Sequence, residues 1–159
     1  MSVITPCLWF DGEAEEAVNF YVSLLPDSKI EVVQRNPIDA PGGKAGTVLV
    51  MEFKLGGLKF MALNGGVRME YTHAVSFKIG CADQAELDRI WEGLLAHGGQ
   101  AERCGWLKDR YGVRWQIVPD ALPKYLGGSN REAAGRAMKA MLGMVKFDIA
   151  ALQRAYDGV

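Results

Sequence analysis

The sequence predicts an α+β fold in which a βαβββ module occurs twice and a helical C-terminal extension follows. Three observations support it. Two helix-start aspartates, Asp11 and Asp83, stand 72 residues apart. Each predicted helix has a strand-like segment before it and several after it. Beyond Pro119 the β-branched and aromatic residues give way to helical spacing. These observations set a two-module domain at 1–120, with modules at about 1–66 and 71–119, and a helical extension at 121–159.

Within the first module, Val3 to Phe10 reads as a buried strand ending at Asp11-Gly12. A helix follows, with Asp11 as its cap, Glu13, Glu15 and Glu16 at its positive end, and Ala14, Ala17, Val18, Tyr21 and Leu25 as its apolar stripe. Pro26 ends it. Lys29 to Arg35, Thr47 to Leu55 and Leu58 to Leu63 read as strands, the last two joined at Gly56-Gly57, a pair suited to a turn that needs positive φ. Asn36 to Gly46, with two prolines and three glycines, reads as a loop and the chain's mobile segment.

In the second module, Tyr71 to Ile79 reads as a strand. Asp83 with Glu86 forms a capping-box start, Leu87, Ile90, Trp91, Leu94 and Leu95 line one helix face, and Gly98 suits its C-terminal end. Gln100 to Lys108 and Val113 to Val118 complete the strands, with Asp109 to Gly112 as the turn between them. In the extension, Ser129 with Glu132 marks one helix start and Asp148 another. Their apolar stripes must be buried on the sheet or on a second subunit.

The 159 residues are 49% hydrophobic and 23% charged, which suits one soluble domain with a proper core. No apolar run approaches the roughly 20 residues that span a bilayer, so no membrane partner is expected. The opening MSVITPCLWF has no basic leader, so the expected location is cytoplasmic. Cys7, Cys81 and Cys104 cannot all pair and lie in no Cys/His cluster, which is the pattern of free thiols in a reducing compartment. Eighteen Lys and Arg against nineteen Asp and Glu exert no general pull on a polyanion, so no nucleic acid is expected.

TPCLWFDGEAEEAVNFY, LNGG at 63–66, DQAELDRIWEGL at 83–94 and CGWLKDRYGVRWQIVP at 104–119 resemble the PhnB-like branch of the vicinal oxygen chelate superfamily, as does the tail MKAMLGMVKFDIAALQ. The resemblance implies a glyoxalase-like fold of two βαβββ modules forming an incomplete barrel. In active members of the superfamily, inward-facing side chains hold a divalent metal ion. Carried onto this chain, that set becomes His73, Gln116, Asn64 and either Thr5 or Cys7. It includes no carboxylate, and neutral oxygens with one imidazole bind hard divalent ions weakly. No metal or other cofactor is therefore expected, and a divalent metal ion is the alternative. The branch is also labelled a demethylubiquinone methyltransferase, but the sequence has no glycine-rich loop after a first parallel strand to approach a nucleoside cofactor.

By strand alternation His73 falls with Tyr71, Val75, Phe77 and Ile79, either facing a cavity or serving as a hydrogen-bonded core histidine. Cys104, near Lys108 and Arg110, is the candidate nucleophile, set against a plain buried thiol. Trp9 and Trp106 suit the wall of a concave site, with Asn64, His73 and Gln116 orienting a ligand, whereas Trp115 falls on the opposite face from Gln116 and belongs under a helix. The expected ligand-binding set is thus Thr5, Cys7, Trp9, Asn64, His73, Trp106 and Gln116. The function expected is binding of a small organic molecule. The alternative is an enzyme of the superfamily's type, metal-assisted or using His73 with Cys104. Open strand edges and the helical tail point to a homodimer.

Overall fold

The computed structural model describes residues 4–159, which divide into two compact units, one ending at Glu70 and one running from Tyr71 to Val159. In the first unit the elements are β1 (Cys7–Phe10), α1 (Ala14–Leu24), β2 (Lys29–Arg35), β3 (Val48–Leu55) and β4 (Leu58–Asn64). The sheet order is β1-β4-β3-β2, and β1 runs parallel to β4 while the other pairs are antiparallel. Gly56 and Gly57, at φ 53° and 81°, make the tight turn from β3 to β4.

Helix α1 buries Ala14, Ala17, Val18 and Tyr21. Leu8, Phe10, Met51, Phe53, Phe60 and Ala62 are buried at alternate sheet positions. Each large side chain removed from water in this way stabilises the unit by about 1.5–3 kcal/mol. The start of α1 differs from expectation. Asp11 caps nothing there, and the acceptor comes from the end of β4, where the buried Asn64 Oδ1 takes the N–H groups of Gly12 and Ala14, both at 3.0 Å. Its Nδ2 donates to the Val48 carbonyl at 2.9 Å. One amide therefore ties β4 to the helix entry and to β3. The 36–46 loop is also tied down: Asn36 donates its backbone N–H to the Thr47 carbonyl and its side-chain Nδ2 to the Thr47 carbonyl and Oγ1, and Ala45 N–H donates to Asp39.

The second unit repeats the order with β5 (Phe77–Cys81), α2 (Gln84–Leu95), β6 (Gln100–Ala101), β7 (Trp106–Lys108) and β8 (Arg114–Pro119), arranged β5-β8-β7-β6 with β5 parallel to β8. The α+β class and the duplicated βαβββ pattern are thus both present. Leu87, Ile90, Trp91 and Leu94 of α2 are buried, as are Leu107, Trp115 and Ile117 of the sheet. Asp83 caps α2 as expected, accepting from Glu86 N–H at 2.9 Å. Asp109, only 1% exposed, holds the β7–β8 turn: Oδ1 accepts from Tyr111 and Val113 N–H, and Oδ2 from Trp115 Nε1 at 2.8 Å.

Three strand assignments are corrected. The first strand begins at Cys7, with residues 4–6 irregular and Val3 outside the described residues. The segment 71–76 is a turn-containing coil, and β5 begins only at Phe77. Among the described residues β5 pairs with β8 from Phe77 onward, and ahead of it Thr72 Oγ1 accepts the Ala74 N–H locally. Likewise, 100–108 is a hairpin of β6 and β7, because Cys104 and Gly105 take φ values of 56° and 78° and reverse the chain.

After β8 come α3 (Leu122–Leu126), α4 (Arg131–Leu142) and α5 (Ile149–Asp157). The cap of α4 is Asn130 and not Ser129, whereas Asp148 caps α5 as expected. This tail packs on its own unit. Gln84 of α2 donates to the Phe147 carbonyl and accepts from Ile149 N–H, Lys146 pairs with Asp88 at 2.7 Å, and Phe147 is 2% exposed. Gly105 lies so close beneath Phe147 that a β-carbon there would come within 2.3 Å of the ring.

Asn64→Ala removes the α1 cap and strands buried N–H groups, so it is expected to destabilise the chain by about 2–3 kcal/mol in urea unfolding. Asp11→Ala should shift stability by less than about 0.5 kcal/mol, since its side chain does not cap the helix. An equal loss from the two substitutions would contradict this capping.

Candidate functional site

Parallel pairing of β5 with β8 decides which side chains share a face. Trp115, opposite Phe77, lies on the face with Leu107, and their rings pack at 5.6 Å. The alternate residues form the helix-free face of the second sheet. Across it, Lys78 stands beside Gln116, Gln116 opposite Trp106, and Trp106 bonds through its carbonyl to Glu102 N–H, making one row over the width of the sheet. The adjacent row holds Arg114, Lys108 and Gln100.

Glu102 organises this face. One carboxylate oxygen meets His73 Nε2 at 2.7 Å, and the other takes the Arg114 guanidinium through Nη1. The His73 ring lies 5.8 Å from that of Trp106, tilted by 46°. Gln116 Nε2 donates to Ser76 Oγ at 2.8 Å. His73 and Ser76 reach these partners from the coil before β5. Charge in the first unit is compensated differently: Lys54, opposite Lys59, pairs with Glu31 at 3.1 Å, and the hydrogen bond from Lys54 is the main reason the Glu31 carboxyl is held below its ordinary range.

The family model described as 3-demethylubiquinone-9 3-methyltransferase matches residues 2–118. The chain belongs to this family. A PhnB protein from Bacillus cereus is 36% identical over 74% of this chain and 99% of its own, with a TM-score of 0.66. Protein PA1353 from Pseudomonas aeruginosa, 23% identical over 76% of this chain and all of its own, shares the fold at a TM-score of 0.60. So does the fosfomycin resistance protein FosX from Mesorhizobium loti, 13% identical over 80% of this chain and 98% of its own, at 0.55. No curated protein matches the chain. This family member thus has the glyoxalase-like fold and stands in the PhnB-like branch of the vicinal oxygen chelate superfamily.

The residues singled out from sequence fall into separate places in this family member. His73, Trp106 and Gln116 gather on the second sheet. His73 sits in a turn with its side chain 60% exposed, not on a strand. In the first unit, Cys7 and Trp9 share the helix-free face, in register with Met61 and Leu63, while Thr5 lies exposed ahead of β1. Trp9 Nε1 donates to the Val67 carbonyl at 2.7 Å. Asn64 points the other way and is used in the α1 cap. Partial burial pushes the Cys7 thiol up. Burial, with Glu86 and Asp120 adding to it, pushes the core thiol of Cys81 up to about 12.

Cys104 and His73 have different partners. The Cys104 sulfur is directed at the Met141 carbonyl, 3.7 Å away on α4. Glu102 is the functional candidate that sequence reading missed. It lies two residues before Cys104, inside a segment read as one continuous strand, and only the hairpin carries it across to Arg114 and His73.

The donor set implied for a metal fits poorly. Asn64 gives its amide to backbone groups, Gln116 is engaged by Ser76, and a cation at His73 and Glu102 would meet the Arg114 guanidinium. Among the described residues no three His, Cys, Asp or Glu side chains gather as a metal-holding group.

Glu102→Gln weakens the hydrogen-bonded charge pair with the largely buried Arg114 and should cost about 1–3 kcal/mol in thermal or urea unfolding. His73→Gln, at an exposed ring, should cost less than about 1 kcal/mol. The reverse order would show that His73, and not Arg114, is the partner that anchors Glu102.

Proposed function

We propose that the chain is a small-molecule-binding member of the PhnB-like branch that works without a bound metal ion, its ligand resting on the helix-free face of the second sheet. The observation carrying this reading is the row Lys78, Gln116, Trp106 and Glu102, flanked by His73: an aromatic platform with polar groups on either side. No helix among the described residues is long and apolar enough to cross a membrane. A cytoplasmic location fits the three unpaired thiols.

The family's methyltransferase description receives no support from the topology. Among the described residues the first strand of each unit pairs in parallel with the last, and the β1–α1 and β5–α2 connections do not form a glycine-rich nucleoside site. His73 with Cys104 is not favoured as a catalytic pair, because each is engaged elsewhere. A homodimer suits the sheet ends, since among the described residues β1, β2, β5 and β6 each pair with one strand. Light scattering at tens of micromolar is expected to give twice the chain mass, and a strictly monomeric result would remove the dimer from the proposal.

Mg²⁺, Mn²⁺, Ni²⁺ or Zn²⁺ should leave the melting temperature of EDTA-treated protein unchanged, whereas an ion in hundredfold excess over its Kd would stabilise it by about 2.7 kcal/mol. An upshift abolished by His73→Ala would overturn the metal-free reading. For the platform, calorimetry with 2-naphthalenemethanol as a flat neutral probe should show binding that Trp106→Ala weakens at least about tenfold, the scale of a lost aromatic contact. Unchanged binding in that variant would place the ligand elsewhere.

A further inference from the structure

The helix-free face of the second unit has a charge arrangement that small-molecule binding alone does not require. Lys108 of β7 stands directly opposite Arg114 of β8, and like charges at this spacing repel. Glu102 relieves only one of them, since both its oxygens go to Arg114 and His73. Neither Lys108 nor Lys78, the latter beside Gln116 on the same face, forms an ion pair among the described residues. Arg114 is itself only partly satisfied: its Nε is buried without an acceptor, although the side chain is just 13% exposed. The first unit has a matching same-sign pair, Lys54 opposite Lys59, but there Glu31 is the counter-charge. The second unit thus keeps a cationic surplus next to its aromatic row, in a chain whose net charge is −1.

We propose that this face selects a flat carboxylic acid, the carboxylate lying between Lys108 and Arg114 and the ring against Trp106 and His73. The proposal rests on the small-molecule reading above and adds the chemical class of the ligand. An acidic group placed there would relieve the Lys108–Arg114 repulsion and supply the acceptors that Glu102 does not. Charge-assisted hydrogen bonds of this kind are stronger than neutral ones and select against uncharged analogues. Lys108 is the specificity-determining residue, because among the described residues its ammonium group forms no ion pair that a substitution would break.

The test is calorimetric titration of the intact chain with 2-naphthoate and with 2-naphthalenemethanol, a probe of the same ring without the charge. The carboxylate should bind at least about tenfold more tightly, the equivalent of one charge-assisted hydrogen bond, and added salt should narrow the ratio. Lys108→Met should bring the ratio close to one while leaving alcohol binding intact, and Lys108→Arg should restore it. Lys59→Met, which makes the same charge change on the first unit, should leave the ratio as it was. Equal binding of the two probes, or an equal effect of Lys59→Met and Lys108→Met, overturns the acid selectivity and leaves the platform reading standing. Failure of both probes to bind, or alcohol binding indifferent to Trp106→Ala, overturns both.

Discussion

The parallel pairing of the first strand of each unit with its last is the constraint on which the rest depends. It places β1 beside β4 and β5 beside β8, so the intervening helix must cross one face of the sheet and leave the other free. The period-two alternation of strands then sorts every side chain. Leu107, Trp115 and Ile117 go under α2, while Trp106, Lys108, Arg114 and Gln116 go to the helix-free face. A one-residue slip that turned β8 over would bury Arg114 and Gln116 and expose Trp115 and Ile117, each a cost of about 1–3 kcal/mol or more. Register is therefore strongly specified, and with it the composition of the face that the proposed ligand meets.

Two buried side chains secure the turns that this pairing needs. Asn64 in the first unit and Asp109 in the second each accept two backbone N–H groups, and each also bonds a further partner, the Val48 carbonyl and the Trp115 indole respectively. Burying polar atoms is tolerable because their bonds are made. The consequence for function is that Asn64, which the superfamily resemblance puts near a metal, is committed to holding α1. Glu102 has the corresponding role on the helix-free face. It joins Arg114, His73 and, through backbone pairing, Trp106 into one assembly, and the positive charge next to it makes that assembly unfavourable for a divalent cation. The same positive surroundings favour an acidic ligand, so the metal-free reading and the acid selectivity share one electrostatic cause.

The tail has a related part. Phe147 covers Gly105, the residue that with Cys104 turns β6 into β7, and Gln84 binds both sides of the α5 entry. The hairpin that delivers Glu102 is thus held in place by residues more than forty positions later in the chain.

Local chemistry alone determined much of this protein. Asp83 and Asp148 could be read as caps because a carboxylate just ahead of a helix can accept its first free N–H groups, and Gly56-Gly57 could be read as a turn because positive φ excludes most side chains. The repeat of strand, helix and strands was legible from periodicity, and long motifs pointed to the branch. Tertiary structure decided what depends on partners distant in sequence. Nothing near Asp11 shows that Asn64, more than fifty residues on, takes over the cap of α1. The run 71–79 alternates like a strand, yet among the described residues its pairing begins at Phe77, and His73 sits in a turn beside Glu102. Cys104 and Gly105 make a turn that their neighbours' strand character conceals. Intrinsic preference acts over a few residues, whereas pairing, capping and ion-pair formation are settled by whichever groups the fold brings within about 3 Å of one another.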